Sequence, residues 1–208
     1  MPVIEIRHPI IKDCLTRLRD KRTGPVEFRQ HLNRIAKLLT YEAVRDLPLK
    51  KIAIETPLKK TEGEVLVDPQ LVVVPVLRAG IGMMEAVFDL LPFAVVGIIG
   101  LYRDEETFAP HEYYHRLPQD LSKKITIILD PMLATGGSLL ASIKLVRERG
   151  AADIRAITLL AAPEGAKKVE DRYPEVRVYT AAIDERLNED AYIMPGLGDA
   201  GDRLLGTV

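Results

Sequence analysis

The hydrophobic residues of this chain follow two kinds of pattern. Nearly continuous apolar runs recur from the middle of the chain onward, at Leu71–Val76, Phe93–Leu101, Ile125–Leu129, Ile154–Ala162 and Val176–Ala181. Runs of this length, rich in Val and Ile, are typical of strands that a parallel sheet buries on both faces. The stretches between them carry apolar residues at a spacing of three or four, which predicts helices. Strands alternating with helices indicate an α/β fold, a parallel twisted sheet flanked by helices.

The first seventy residues or so show a different order of elements. Apolar residues at helical spacing predict two helices, over Ile10–Leu18 and Val26–Leu47, separated by a Gly-Pro break. Leu49–Thr56 and Glu64–Val67 flank a polar turn at 59–63, which predicts a β-hairpin.

The composition fits one globular unit, so we expect a single domain over residues 1–208. Hydrophobic residues make up 47% of the chain and charged residues 28%, and the net charge is -1. A nearly neutral chain argues against general nucleic-acid or membrane binding. The single cysteine excludes an internal disulfide. Without an evident signal peptide or membrane-spanning run, we expect a cytoplasmic protein.

The strand at Ile125–Leu129 leads into a loop with the chemistry of a phosphate site. The loop reads Asp130, Pro131, Met132, Leu133, Ala134, Thr135, Gly136, Gly137 and Ser138. Since Pro131 lacks an N–H, we expect the chain to leave the sheet there. Amides at the following helix start carry partial positive charge, and the glycines let a phosphate come close. With Asp130 placed to hold sugar hydroxyls, the loop suggests a sugar-phosphate site.

Two other interpretations of this loop were open. An ordinary strand-to-helix turn with a Thr or Ser cap is the simpler one, but it leaves the acidic residue and the paired glycines unexplained. A Walker loop is not supported, because no Lys follows the glycines.

A second strand end repeats this architecture with an arginine in place of the acid. Leu71–Val76 is followed by Leu77, Arg78, Ala79 and Gly80, and then by a helical pattern over Met83–Leu90. A guanidinium beside free amides suits a diphosphate, because arginine binds phosphate oxygens in pairs. At the carboxyl end of a parallel strand this position favours a binding role over a surface ion pair.

Two further segments are too polar, or too rich in glycine, for the core. Residues 102–118 contain several aromatic and charged side chains and predict a projecting loop or hairpin, an arm that serves as a lid or a dimer contact. We interpret its Tyr113, Tyr114, His111 and His115 as subunit contacts rather than catalytic groups.

The tail contains Gly196, Gly198 and Gly201 in a G-x-G-x-x-G pattern. A dinucleotide fold is rejected, because no strand precedes the glycines and too few residues follow. Either the tail is a tight turn stabilised by Asp199 and Arg203, or its backbone lines a pocket that matches the polar edge of a base.

Together these motifs resemble the type I phosphoribosyltransferases, and most closely their uracil branch. The resemblance covers nearly the whole chain, with three motifs in family order. Many relatives carry two adjacent acidic residues where this chain has Asp130 followed by Pro131, a departure typical of the uracil branch. It leaves one carboxylate where relatives have two.

The resemblance implies a site for phosphoribosyl diphosphate (PRPP) and one for uracil. PRPP would be bound by Arg78, Arg103, Asp130, Pro131, Met132, Leu133, Ala134, Thr135, Gly136, Gly137, Ser138 and Asp199. The catalytic residues would be Arg78, Arg103, Asp130 and Asp199. A C-terminal hood, residues 187–208, would hold uracil through Ile193, Gly198, Asp199 and Ala200.

The implied reaction transfers phosphoribose from PRPP to N1 of uracil and gives UMP and diphosphate, a step of pyrimidine salvage. Mg²⁺ would be held mainly by the diphosphate and water, without a direct protein ligand. The resemblance also implies a homodimer or homotetramer and leaves open whether GTP is an effector. A regulator that senses nucleotides is a less favoured alternative, since no basic face is visible. Another base in place of uracil is a third interpretation.

Overall fold

The structure is a computed structural model that describes residues 3–67, 70–104 and 109–207, without the side chain of Arg103. Within this part of the chain, nine strands form one sheet and two small hairpins stand apart from it. The strands are Val3–Glu5 (β1), Leu49–Glu55 (β2), Lys60–Leu66 (β3), Leu71–Leu77 (β4), Val95–Val96 (β5), Ile98–Arg103 (β6), Pro110–Arg116 (β7), Ile125–Leu129 (β8), Met132–Leu133 (β9), Asp153–Ala161 (β10), Arg177–Ile183 (β11), Arg186–Leu187 (β12) and Ile193–Met194 (β13).

The helices cover both faces of the sheet. They are Pro9–Arg19 (α1), Pro25–Ala43 (α2), Met84–Leu90 (α3), Gly137–Glu148 (α4), Pro163–Arg172 (α5) and Ala200–Leu205 (α6), with a 3₁₀ turn at Ala79–Met83. One core cluster joins α1, α2 and α3 to the sheet, and a second lies under α4 and α5. No helix among the described residues is both long and apolar enough to cross a membrane.

The strand order is β1-β11-β10-β8-β4-β6-β7, and every pair is parallel except β6 and β7. The predicted α/β class is therefore confirmed. Leu129 at the end of β8 lies between Pro75 of β4 and Ile157 of β10. Because parallel strands end at one edge of a sheet, the loops after β4 and β8 emerge side by side.

The prediction that the chain leaves the sheet at Pro131 is confirmed, since β8 ends at Leu129, but the departure lasts two residues. After Asp130 and Pro131 it rejoins the sheet as β9, beside the end of β10. The Pro131 carbonyl accepts hydrogen bonds from the amide of Leu159 at 2.8 Å and from the hydroxyl of Thr158 at 2.9 Å. Proline has a backbone carbonyl but no N–H. Both of these hydrogen bonds use the carbonyl, so Pro131 can lie between β8 and β9 beside β10.

Two predicted boundaries also differ from the structure. The apolar run at Phe93–Leu101 is divided into β5 and β6 at Gly97, where a side chain would meet Leu117 at 2.7 Å. The turn of the first hairpin lies at 56–59 rather than 59–63, and the Thr56 amide closes it by donating to the Lys59 carbonyl at 3.0 Å.

The predicted arm and hood are both present as local structures. The arm consists of β7 and the end of β6, so it is an edge of the main sheet, and residues 105–108 lie outside the described part of the chain. The hood is built from β12, β13 and α6. It packs on α2, where Arg29 donates to the Leu204 carbonyl at 2.8 Å.

Candidate active site

The loops that follow β4 and β8 lie directly against each other. A Cβ atom on Gly80 would lie 2.4 Å from the carbonyl oxygen of Leu129, the residue before Asp130. Such a distance excludes any side chain unless the backbone moves. Glycine at this position therefore brings the Arg78 loop into contact with the strand end that carries Asp130.

These loops and the hood enclose one cleft of about 800 Å³. Its lining contains Arg78 and Asp130 from the two strand ends and Asp199 from the hood. The predicted base-contacting residues Ile193, Gly198 and Ala200 lie on the same wall. A neighbouring cavity of about 270 Å³ shares Arg78, Asp130 and Asp199 and adds Thr135, Gly136 and Ser138. Groups predicted from three separate stretches of sequence thus face one space.

The phosphate loop owes its shape to two glycines from different elements. Gly136 has a φ of 83°, the left-handed conformation that glycine adopts without strain, and α4 begins at the next residue. The first amides of a helix have no carbonyl partner within that helix, which leaves them available to an anion. On α5, a Cβ atom at Gly165 would lie 2.3 Å from the Ala134 carbonyl oxygen. The loop is therefore pressed against the start of α5.

Asp130 is partly buried at the floor of the cleft. Burial raises the pKa of its carboxyl above the ordinary value of 3.8, although two hydrogen bonds act in the opposite direction. The hydroxyl of Ser138 donates to Oδ2 at 2.6 Å, and the amide of Met132 donates to Oδ1 at 3.4 Å. These bonds hold the carboxylate within the phosphate loop, with lone pairs left for a ligand.

Arg78 reaches across the cleft toward the hood. Its Nη2 lies 3.2 Å from Oδ1 of Asp202, and the arginine side chain is 59% exposed. Asp202 also accepts a hydrogen bond from the Thr207 hydroxyl at 2.7 Å. Exposed ion pairs contribute about 0–1 kcal/mol, so a diphosphate can displace the carboxylate from Arg78 at small cost.

Asp199 has a structural partner as well as a place in the cleft. It is the N-cap of α6, and its Oδ1 accepts a hydrogen bond from the Asp202 amide at 2.9 Å. Arg203 donates to the Leu197 carbonyl at 2.8 Å. The two interpretations of the tail are thus compatible, because the stabilised turn is also the wall of a pocket.

Most of the predicted site residues line one of the two cavities. Leu133 and Gly137 do not: Leu133 is buried in the core under α4, and the Gly137 amide donates to Oγ1 of Thr135 at 3.4 Å. They shape the loop from behind. The side chain of Arg103 lies outside the described residues, so its predicted role stays a prediction.

Two aromatic residues of the cleft were not predicted from the sequence. Tyr102 and Tyr113 line the larger cavity from the arm, and of the two it is Tyr113 that was interpreted from the sequence as a subunit contact. The Tyr102 ring stacks on His111 with centroids 5.3 Å apart. Tyr113 packs over Gly100, where a Cβ atom would lie 2.7 Å from its ring. A glycine in the middle of a strand was the available signal, since it marks a close approach.

Comparison with known proteins identifies the family. A family model described as uracil phosphoribosyltransferase matches residues 5–207. A relative from Enterococcus faecalis, named uracil phosphoribosyltransferase, is 51% identical over 202 residues, or 97% of each chain. A relative of the same name from Geobacillus kaustophilus is 53% identical over 200 residues, or 96% of each chain.

A solved structure of a protein from Aquifex aeolicus has a TM-score of 0.91 and 39% identity, and covers 97% of both chains. The sequence match, the structural match and the motifs in the cleft agree over nearly the full length. The chain belongs to the uracil phosphoribosyltransferase family.

Proposed function

We propose that this chain transfers the phosphoribosyl group of PRPP to N1 of uracil and releases UMP and diphosphate. One observation carries the proposal: the lining of a single cleft contains Arg78, Asp130 and the hood residues Ile193, Gly198 and Ala200. An anion site, a carboxylate suited to sugar hydroxyls and a glycine-rich backbone wall are the three features this reaction needs.

The phosphates of PRPP are assigned to the two loops. The 5-phosphate would bind the amides and hydroxyls around Thr135, Gly136 and Ser138, at the start of α4. The diphosphate would bind Arg78, whose guanidinium can pair with two phosphate oxygens once it leaves Asp202. Asp130 lies between these groups and would accept hydrogen bonds from the ribose hydroxyls.

Uracil is assigned to the hood. It presents an oxygen, an N–H and an oxygen in a row, a pattern that backbone groups can match without side chains. Gly198 and Ala200 bring the backbone to the cleft surface, and Ile193 supplies an apolar contact. Base selectivity would then depend on where the hood peptides point.

The bond at the anomeric carbon would break with an oxocarbenium-like transition state and inversion. This reaction would not require an activated nucleophile from the protein. Arg78 and Arg103 would stabilise the negative charge that develops on the leaving diphosphate. The cleft would hold the base and the sugar in line, and the arm at 102–118 would exclude water.

Mg²⁺ is the cofactor of this proposal, without a direct protein ligand. Mg²⁺ keeps several waters and is commonly carried by substrate phosphates with one or two carboxylates, which fits Asp130 as a partner through water. When bound, the ion supplies positive charge to the leaving group.

Assembly and regulation complete the proposal. A homodimer or homotetramer is supported by exposed apolar side chains on the β2–β3 hairpin, among them Ile52, Ile54 and Val65, since a lone hairpin is marginally stable in water. Light scattering of the purified protein measures the assembly. GTP activation is tested by the rate of UMP formation with and without GTP.

The deciding experiment mixes the protein with PRPP, Mg²⁺ and one nucleobase at a time. We expect diphosphate and a nucleoside monophosphate with uracil, and a rate at least about 100-fold lower with cytosine, adenine, guanine or hypoxanthine. Omission of the base gives the background hydrolysis of PRPP. A purine as the preferred substrate, or no diphosphate release with any base, would contradict the proposal.

A further inference from the structure

Arg203 on α6 is a cation bound to carbonyl groups. Its Nη1 donates to the carbonyls of Leu197, at 2.8 Å, and of Leu18. Its Nη2 donates to the carbonyl of Asp20 at 2.7 Å, with Thr23 at 3.4 Å. Burial lowers the pKa of this guanidinium, so keeping the cation here has a cost that the contacts must offset.

The carbonyls that Arg203 contacts belong to two separate segments of the chain. Leu197 directly precedes Gly198, whose backbone lines the cleft. Leu18, Asp20 and Thr23 lie at the end of α1 and in the loop before α2. Arg203 therefore ties the base-facing turn of the hood to the loop between α1 and α2. Its Cζ atom lies over the Phe28 ring, 4.7 Å from the ring centroid, which restricts the guanidinium further.

A second arginine fixes the same turn one residue earlier. Arg19 pairs with the buried carboxylate of Asp184 and donates to the Gly196 carbonyl at 2.8 Å. Asp184 in turn accepts a hydrogen bond from the Gly196 amide at 3.0 Å. Two consecutive residues of the turn are thus held by charged groups, and Arg203 holds the one nearer the cleft.

The Leu197–Gly198 peptide links this contact to the base. A trans peptide is planar, with its C=O and N–H pointing in opposite directions. The Leu197 carbonyl points at Arg203, which lines a small cavity of about 450 Å³ behind the turn. The Gly198 N–H on the same peptide must therefore point away from Arg203, and Gly198 lines both the small cavity and the cleft.

We propose that Arg203 is a positioning residue for base recognition, which orients the Gly198 amide toward the nucleobase without touching it. The inference rests on the proposed function, in which the hood binds uracil. Backbone recognition is selective only if the peptide cannot rotate, and the guanidinium supplies that restraint from behind.

The test measures the KM for uracil and the Kd for PRPP in Arg203→Met. This variant keeps apolar packing on Phe28 but removes the hydrogen-bond donors of Arg203. We expect the KM for uracil to rise about tenfold or more, as for the loss of a charge-assisted hydrogen bond. The Kd for PRPP, measured by calorimetry without uracil, should stay within about twofold, because in the described part of the chain no hydrogen bond of Arg203 reaches either phosphate loop. The rate with cytosine relative to uracil should increase.

Three controls make the result specific. Arg22→Met removes an exposed arginine of the adjoining loop that pairs with Asp20, and should change neither constant. Arg203→Lys should recover little, since an ammonium cannot reach both sides of the turn as a planar guanidinium does. Millimolar guanidinium ion should restore part of the uracil affinity of Arg203→Met and leave the parent unchanged.

Equal losses of affinity for uracil and PRPP, or an unchanged KM for uracil, would overturn the inference. If Arg203→Met does not fold, the same pair of constants in Arg203→Lys decides. A parent protein that forms no UMP contradicts the proposed function instead. A parent that forms UMP beside an unaffected variant contradicts only the role of Arg203.

Discussion

Two carboxylates of the cleft sit in opposite surroundings. Asp130 is partly buried and its pKa is raised by that burial, whereas Asp199 is exposed at a helix start. A buried carboxylate without its ligand costs folding free energy, so Asp130 is a place where the fold gives up stability for binding. Asp199 stabilises α6 as its N-cap, so replacing Asp199 brings no gain in stability.

Asp130→Asn should therefore stabilise the free protein and reduce its activity. Because the folded-state pKa is raised, ionisation of Asp130 costs stability above pH 3.8, and the cost grows until the pH passes the raised value. Asparagine does not titrate, so its advantage is absent well below pH 3.8 and reaches about 1 kcal/mol near neutrality. Urea unfolding across pH measures the difference. A variant that is less stable than the parent at pH 7 would contradict this account of Asp130.

Substitutions of Asp199 can separate its role as a helix cap from the role of its negative charge. Asparagine caps a helix about as well as aspartate, whereas alanine loses about 1 kcal/mol. We expect Asp199→Asn to melt like the parent and Asp199→Ala to melt lower. If the carboxylate charge serves PRPP or uracil, both variants lose turnover to a similar extent. Full turnover in Asp199→Asn would limit this residue to the cap.

Arg78→Ala should lower kcat/KM for PRPP by about 100-fold, the scale of one lost transition-state donor. Its stability should change little, because the side chain is 59% exposed and its ion pair with Asp202 is weak. Arg45→Ala is the matched control, an exposed arginine paired with Glu42 on α2. Equal kinetics in the Arg78 variant and the control would remove Arg78 from the site.

At the scale of elements, the site depends on places where backbone meets backbone. The Arg78 loop touches the end of β8 at Gly80, and the phosphate loop touches α5 at Gly165. Neither contact involves a side chain that could be exchanged for another. Because Gly80 and Gly165 have no Cβ atom, the loops can lie this close to their neighbours. These two glycines therefore set the distance between the protein groups that would bind PRPP.

Gly165→Ala tests this spacing because two effects oppose each other. In an open helix, alanine in place of glycine gains about 1 kcal/mol. Here the new Cβ atom would lie 2.3 Å from the Ala134 carbonyl oxygen, so the loop must move. We expect a loss of about 1–3 kcal/mol, as for overpacking, together with a KM for PRPP raised about tenfold.

Gly24→Ala controls for an added methyl group without a clash, since a Cβ atom there meets nothing within 4 Å, and as the N-cap of α2 it gains no helix propensity. Calorimetric melting and steady-state kinetics on both proteins separate the contact from the general effect of the substitution. A stabilised Gly165 variant with normal PRPP kinetics would show that the loop is not held by α5.

These contacts mark the limit of what the sequence could predict. The apolar runs predicted the strands and the parallel order, because burial on both faces leaves a local signature at positions such as 71–76 and 125–129. The charged and glycine-rich loops predicted the site, because parallel strands end at one edge. The position of Gly165, and the return of the chain at Met132–Leu133, depend on contacts between distant segments, which no local pattern contains.

The same limit explains the aromatic residues of the arm. A polar, aromatic hairpin predicts exposure but not what it faces, and Tyr102 and Tyr113 line the cleft only because β6 pairs beside β4. Arg203 was singled out as stabilising a turn, and the structure adds that the turn lies behind Gly198. Sequence identified the residue, and only the fold identified what it holds.

Across the whole molecule, the two edges of the sheet have different tasks. The carboxyl edge carries the cleft. Near the amino ends of β10 and β11, Arg155 is 2% exposed and donates to Asp153 at 2.7 Å, to Asp46 at 2.6 Å and to the Ala43 carbonyl. Arg177 joins the same two carboxylates. This network fastens the end of α2 to the sheet, far along the strands from the site.

Arg155→Met should consequently separate stability from catalysis. It removes a buried cation that three acceptors rely on, at a cost of about 3 kcal/mol, while the cleft residues keep their places. Burial alone would raise the pKa values of Asp46 and Asp153, but the hydrogen bonds and charges of Arg155 and Arg177 lower them. The stability they provide is present above pH 3.8 and is lost as the pH falls through the lowered values.

The parent should therefore lose stability on acidification more steeply than Arg155→Met, and the two unfolding curves should converge toward low pH. Chemical unfolding between pH 2 and 7 measures this convergence, and kcat/KM for PRPP and uracil well below the melting temperature measures catalysis. If the folded variant loses catalysis in proportion to its stability, the two edges are coupled through the strands. If its catalysis is unchanged, the amino edge only secures the fold and the chemistry belongs to the carboxyl edge alone, because substitutions at distant sites without shared partners act independently.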